Sequence, residues 1–306
     1  MEHDLRYDRA DEFMEIVLNC WDGWEDGALV IDKKTGLFAD PGKVHRLEYK
    51  GKFLSSSGTF TVPRSPQGHP VIIQAGASAR GKTFAARWAE TVFVTYENLE
   101  AGKRQYADLK AEVARLGRDP DKMTVNTIAY PVVAETRAEA EDKMALIDSL
   151  YKEVDGLSLL SEALNFDFKT KAMDEAFTAA ELEGMSGMQA MRDRVMRHTG
   201  RNPTVRDFLD ITRRGRPNES IAGSAKDIAD RLELWFTERA CDGFVIAGTH
   251  MPGSFEDFVR LVVPELQRRG LYRTDYTGAT LRENLGLPVP GRGAWRLPAG
   301  SHPAMT

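Results

Sequence analysis

The chain has 306 residues, 42% hydrophobic and 28% charged, enough for one large domain or two ordinary ones. A net charge of −5 gives no overall basic field for nucleic acid, and two cysteines, Cys20 and Cys241, make neither a disulfide framework nor a zinc site. The polar start "MEHDLRYDRADEF" has no secretion signal, and no apolar run approaches the ~20 residues of a membrane span, so the expectation is a cytoplasmic protein with no metal, membrane or nucleic-acid partner.

The opening stretch places Phe13, Ile16, Val17, Cys20, Trp21 and Trp24 at helical spacing, and Gly27 ends the pattern. From residue 28 to 68 short alternating runs separated by "DKKTG", "ADPGK" and "YKGK" predict a β-hairpin excursion. "PVIIQAG" is then a short continuous apolar run, as in a strand covered on both faces. A helix over about 81–90, the buried strand "TVFVTY", an amphipathic helix over 99–116, the strand "TVNTIAYPVVA" and the helix "RAEAEDKMALIDSLY" follow. Residues 151–220 break this alternation with helical pieces and loops, which reads as a lid or subunit contact. "RRGR" at 213–216 reads as loop decoration. Regularity returns with a helix capped by Ser224, a fourth buried strand "GFVIAG" and the helix "SFEDFVRLVVPELQRRG". Strand alternating with helix predicts a parallel sheet and an α/β fold.

"QAGASARGKT", residues 74–83, reads in two ways. Gly76, Gly81, Lys82 and Thr83 fit the G-x-x-x-x-G-K-[ST] pattern of a P-loop. The same strand, glycine turn and helix also suit the phosphate of a flavin, because the unsatisfied N–H groups of a helix start attract any anion. A P-loop enzyme needs a second strand ending in an acidic residue to hold magnesium. The apolar strands here run into "TYEN", "VVAE" and "IAGT", with no Asp at a tip. Ser78 suits a helix N-cap equally well, and Gln74 stands either at a ligand or as a polar cap on the core.

"RYDRADEF", "SPQGHPVIIQAGAS", "EALNFDF", "SGMQAMRDRV", "PTVRDFL", "GSAKDIADRL", "PGSFEDFVRLVVPELQRRGL" and "TLRENLGLP" occur in this order. Together they resemble the flavin-dependent monooxygenases related to bacterial luciferase. The likeness is to the branch of nitrilotriacetate monooxygenase component A, EDTA monooxygenase and dibenzothiophene-sulfone monooxygenase, and it runs from His3 to about Pro288. It implies a TIM (β/α)8 barrel that takes reduced FMN (FMNH2) from an NAD(P)H:flavin reductase. With O2 the flavin gives a C4a-peroxyflavin, which attacks a small organic substrate such as an aminopolycarboxylate or a sulfur heterocycle. By motif, the phosphate-side residues are His3, Tyr7, Gly76, Ala77 and Ser78. His3 and Tyr7 are four apart and share a helix face, and Ser78 follows a strand's C-terminal end, where barrels keep their sites. His250, beyond the fourth strand, is a candidate catalytic residue. Association into homo-oligomers is a further implication.

A closed barrel needs eight parallel strands, and only four can be read, near Val71, Val92, Val125 and Phe244. In the family "RYDRADEF" falls on the fourth helix, so the expectation is the C-terminal half of a barrel over residues 1–288. It carries insertions at 28–68 and 151–220 and a flexible tail at 289–306. The missing strands point to a start assigned too far downstream, a truncated gene, or a second polypeptide. A non-catalytic half-barrel that assembles through its open edges is the alternative function, and a P-loop nucleotide hydrolase the remaining one.

Overall fold

The computed structural model describes residues 3–75, 78–212 and 220–296. The chain opens with α1 (His3–Trp21), followed by two antiparallel hairpins instead of one: β1 (Leu29–Asp32) with β2 (Leu37–Ala39), and β3 (Leu47–Lys50) with β4 (Ser55–Gly58). The Glu12 carboxylate anchors the second hairpin to α1 by accepting the N–H groups of Lys52, Phe53 and Leu54 at 2.6–2.8 Å.

The centre is a parallel five-stranded sheet: β5 (Ile73–Ala75), β6 (Thr91–Val94), β7 (Thr124–Ala134), β8 (Ser220–Ser224) and β9 (Gly243–Ile246). Residues 124–127 of β7 pair β6, residues 126–129 pair β9, and residues 130–134 pair β8. The four strands read from sequence form the row β5-β6-β7-β9, and β8 is a fifth that the sequence did not disclose. "SIAGS" lacks the bulky β-branched run of its neighbours; it forms a strand because the long β7 offers it a free length of edge.

Helices α2 (Ala79–Trp88), α3 (Leu99–Arg115) and α4 (Arg137–Ser149) alternate with these strands. Between α4 and β8, α5 (Glu153–Leu164), α6 (Ala179–Gly184), α7 (Gln189–Thr199) and α8 (Val205–Thr212) pack around a core of their own. There Phe168, Phe177 and Phe208 pack edge to face with centroids 5.3–5.4 Å apart. After α9 (Ala225–Thr237) and β9, the expected single helix is divided into α10 (Gly253–Asp257), a π-helical turn (Phe258–Val262) and α11 (Val263–Arg268). Pro264 is the reason: without an N–H it cannot close the α-turn to Arg260, and its ring pushes that carbonyl away.

The sheet has one covered face. Val92, Val94 and Val125 pack with α2 and α3, while Ala129 and Val133 pack with α9 and the segment after β9. By register, the other face carries Ile73, Ala75, Phe93, Ile128, Tyr130 and Val245. Ile73 is 62% exposed and Val245 38%. These two lie on β5 and β9, the ends of the row, and neither strand has a partner on its outer edge among the described residues.

The chain's end is anchored as far as Arg296, where the sequence suggested a loose tail from residue 289. Asp22 accepts the Gly293 N–H at 2.8 Å and the Trp295 Nε1–H at 3.1 Å, and Trp295 packs 6.2 Å from Trp88. The helix α12 (Leu281–Asn284) is fixed by Arg282, which is 1% exposed. Its guanidinium forks onto Glu90 at 2.6 and 2.7 Å and donates from Nε to the His69 carbonyl at 2.7 Å. Among the described residues no helix is long and apolar enough to cross a membrane, and no His/Cys/Asp/Glu cluster could hold a metal.

Candidate phosphate site at the start of α2

β5 ends at Ala75 and α2 begins at Ala79, so only residues 76–78 separate strand from helix. Gly81, Lys82 and Thr83 therefore lie inside the helix, which starts two residues earlier than its sequence pattern indicates. A P-loop wraps its phosphates in the long glycine-rich loop between strand and helix, and three residues are too few for such a loop. Lys82 makes no ion pair among the described residues. The nearest acid after β6, Glu97, is turned to Arg197 at 2.7 Å.

Ser78 is the N-cap of α2: its backbone is extended and its Oγ accepts the Gly81 N–H at 3.1 Å. That bond uses an oxygen lone pair and leaves the O–H as a donor. Tyr7, from the second turn of α1, reaches the same point. A Cβ placed on Gly81 would lie 2.7 Å from Tyr7 Oη and 2.9 Å from Ser78 Oγ. Both hydroxyls thus converge on the bare Cα of Gly81, and only glycine permits the approach.

The Tyr7 ring is held by Phe84, 5.4 Å away, and by the Arg80 guanidinium at 5.6 Å. Arg80 donates to Asp8 at 3.0 Å and also to Asp11. Burial works against its charge, but the hydrogen bonds to Asp11 and Asp8 outweigh that and raise its pKa. Arg87 joins Asp11 and Glu15 at 3.5 and 2.8 Å. These ion pairs fix α1 against α2 and neutralise carboxylates that would otherwise repel an anion. Sequence spacing did not point to Arg80, because its partners lie 69 and 72 residues away in the chain.

The other candidates fall differently. Gly76 and Ala77, and the His3 side chain, lie outside the described residues, as does "RRGR". Gln74 pairs in register with Val92 and so shares the helix-facing side of the sheet; its Oε1 is buried without a hydrogen bond. His250 follows β9, with Nδ1 3.4 Å from Thr249 Oγ1 and its ring over Gly253, whose added Cβ would meet Nε2 at 2.9 Å. β9 and β5 lie at opposite ends of the row β5-β6-β7-β9, so His250 and Ser78 follow strands that are three interstrand steps apart.

A parallel sheet with helices alternating between its strands, and with the hydroxyls of Tyr7 and Ser78 gathered where β5 leads into α2, defines an α/β fold. The chain belongs to the luciferase-like monooxygenase family, whose profile matches residues 1–243. It is 42% identical over 297 residues to dibenzothiophene-sulfone monooxygenase of Rhodococcus erythropolis, covering 95% of this chain and 65% of the relative. It is 41% identical over 292 residues to nitrilotriacetate monooxygenase component A of Aminobacter aminovorans, covering 95% and 64%. The crystal structure of riboflavin lyase with modified FMN and riboflavin superposes with a TM-score of 0.80 at 31% identity, covering 94% of this chain and 63% of that one. The chain thus spans just under two thirds of the length of the relatives it matches.

Proposed function

We propose that this chain carries the phosphate-binding half of a flavin-dependent monooxygenase, the large oxygenase of a two-component system fed with FMNH2 by an NAD(P)H:flavin reductase. The observation that carries the reading is the convergence of Tyr7 Oη and Ser78 Oγ on Gly81 at the start of α2. Two hydroxyl donors and a helix N-terminus suit a monophosphate, which needs no lysine or magnesium to be held. Bound there, reduced FMN would supply the electrons with which O2 oxidises a small organic substrate. Tyr7 and Ser78 would fix the phosphate, Arg80 would steady the Tyr7 ring, and the resulting anchor would orient the cofactor. His250, at the far strand end of the row, is the candidate for handling a proton at the substrate. The relatives' names support an aminopolycarboxylate or a sulfur heterocycle as substrate.

The sheet sets a condition. Four barrel strands with two open edges do not enclose a site, so the active form is a closed barrel whose remaining strands are supplied from outside this sequence. The same open edges favour a second reading, an assembly module that pairs through them without catalysis.

In the completed enzyme, Tyr7→Phe and Ser78→Ala will each weaken FMN binding. Each removes a hydrogen bond to a charged acceptor worth roughly 1.5–3 kcal/mol, or about ten- to a hundredfold in affinity. Lys82→Ala will change affinity by less than a factor of two or so, since backbone and hydroxyl donors carry the site. Flavin fluorescence titration measures all three. Unchanged affinity in both hydroxyl variants removes these residues from the site, and a collapse in Lys82→Ala restores the P-loop reading.

A further inference from the structure

Behind the sheet, on its helix-covered side, a cavity of about 410 Å³ lies between the end of β6, the middle of β7, β8 and α9. Thr127 lines it from the β7 face that it shares with Val125 and Ala129, both packed in the helix-side cores. Thr127 is 2% exposed, and its hydroxyl has no hydrogen-bond partner. Trp235 of α9 lines the same cavity at 8% exposure, and its Nε1–H has no acceptor. An unsatisfied buried polar group costs about 1–3 kcal/mol, so two of them around one hollow mark a place built to be filled.

Charge gives the sign of the occupant. At the rim, Arg137 is paired with Asp227 at 2.6 Å and Glu97 with Arg197 at 2.7 Å. Arg231, one helical turn before Trp235, stacks on the indole at 5.4 Å and has no carboxylate partner among the described residues. Arginine and the indole N–H are donors only, so they call for a group that only accepts. Ile221, Leu232 and Phe244 supply apolar wall, alongside Tyr96 and Ser220.

We propose that this cavity binds a small carboxylic acid with a flat apolar body. Its carboxylate is met by Arg231, Trp235 Nε1–H and the Thr127 hydroxyl, and its body lies against Phe244, Ile221 and Leu232. A planar guanidinium matches the carboxylate fork, and the volume falls among those of ordinary small-molecule pockets. None of these residues belongs to the cluster of Tyr7, Ser78 and Gly81, so the proposal stands or falls independently of the flavin reading.

The probe is sodium benzoate, titrated into the purified chain by calorimetry and by tryptophan fluorescence, against sodium chloride at equal ionic strength. Saturable binding at one site per chain is expected, with no such response to chloride. Arg231→Gln, an exposed substitution that leaves the fold intact, will weaken binding at least tenfold. Thr127→Val will weaken binding while leaving the melting temperature unchanged or higher, because it removes a hydroxyl that the empty cavity leaves unpaired. Absence of saturable benzoate binding overturns the proposal, as does binding that neither variant alters. A melting temperature lowered by several degrees in Thr127→Val also overturns it, by assigning the cavity to a bound water.

Discussion

Supplied with FMN, NADH, a flavin reductase and a panel of chelator and sulfone substrates, the purified 306-residue chain will consume O2 without oxidising substrate. The row β5-β6-β7-β9 supplies four strands where a closed barrel has eight, and barrel enzymes draw their catalytic groups from the ends of several strands. The face that would line the barrel leaves Ile73 and Val245 exposed at its two ends, with Phe93 and Ile128 half-buried between them. Oxygen activation depends on excluding water from the reactive centre, and half a barrel mouth cannot exclude it; hydrogen peroxide is the expected product. The same apolar face and open strand edges will drive association, so the chain will run as oligomers in size-exclusion chromatography. Co-expression with a segment carrying the four missing strands will restore turnover. Substrate oxidation by the chain alone would mean that the open face is no obstacle and that the four-strand row is sufficient.

Arg282→Leu will destabilise the protein by about 3–5 kcal/mol, the loss expected when one partner of a buried ion pair is removed. The guanidinium is 1% exposed and gives hydrogen bonds to both Glu90 oxygens and to the carbonyls of His69, Pro70 and Pro288. A leucine replaces only the inner part of the side chain and leaves the Glu90 carboxylate without its fork. Glu90 also accepts the Ile72 N–H at 3.2 Å, so the damage reaches the residues leading into β5. Arg282→Lys will recover only part of the loss, because a single ammonium cannot serve both carboxylate oxygens and three carbonyls. Chemical denaturation followed by tryptophan fluorescence measures both variants; a Leu variant within about 1 kcal/mol of the parent, the range of an exposed salt bridge, contradicts the assignment.

What the sequence disclosed follows from how local each signal is. β6, β7 and β9 were legible because continuous apolar runs mark strands buried by helices, and the helix after Ser224 was legible with that serine as its cap. β8 was not, since small residues become a strand only beside the free length of β7. The anchored end was hidden for a similar reason: Arg292 and Trp295 are held by Asp22, more than 260 residues earlier. At the site, Ser78 and Tyr7 were singled out by motif resemblance, and Ser78 also by its position after a strand. Their meeting over Gly81 depends on how α1 lies across α2, set by the Arg80 and Arg87 ion pairs, which no local pattern encodes.

The central claim is that the turn into α2 holds the monophosphate of FMN. Equilibrium dialysis of the barrel-completed protein against FMN, riboflavin and ATP tests it most directly. FMN should be retained, riboflavin held at least tenfold more weakly because it lacks the phosphate that Tyr7 and Ser78 engage, and ATP not retained at millimolar concentration. Retention of ATP with no retention of FMN would contradict the account.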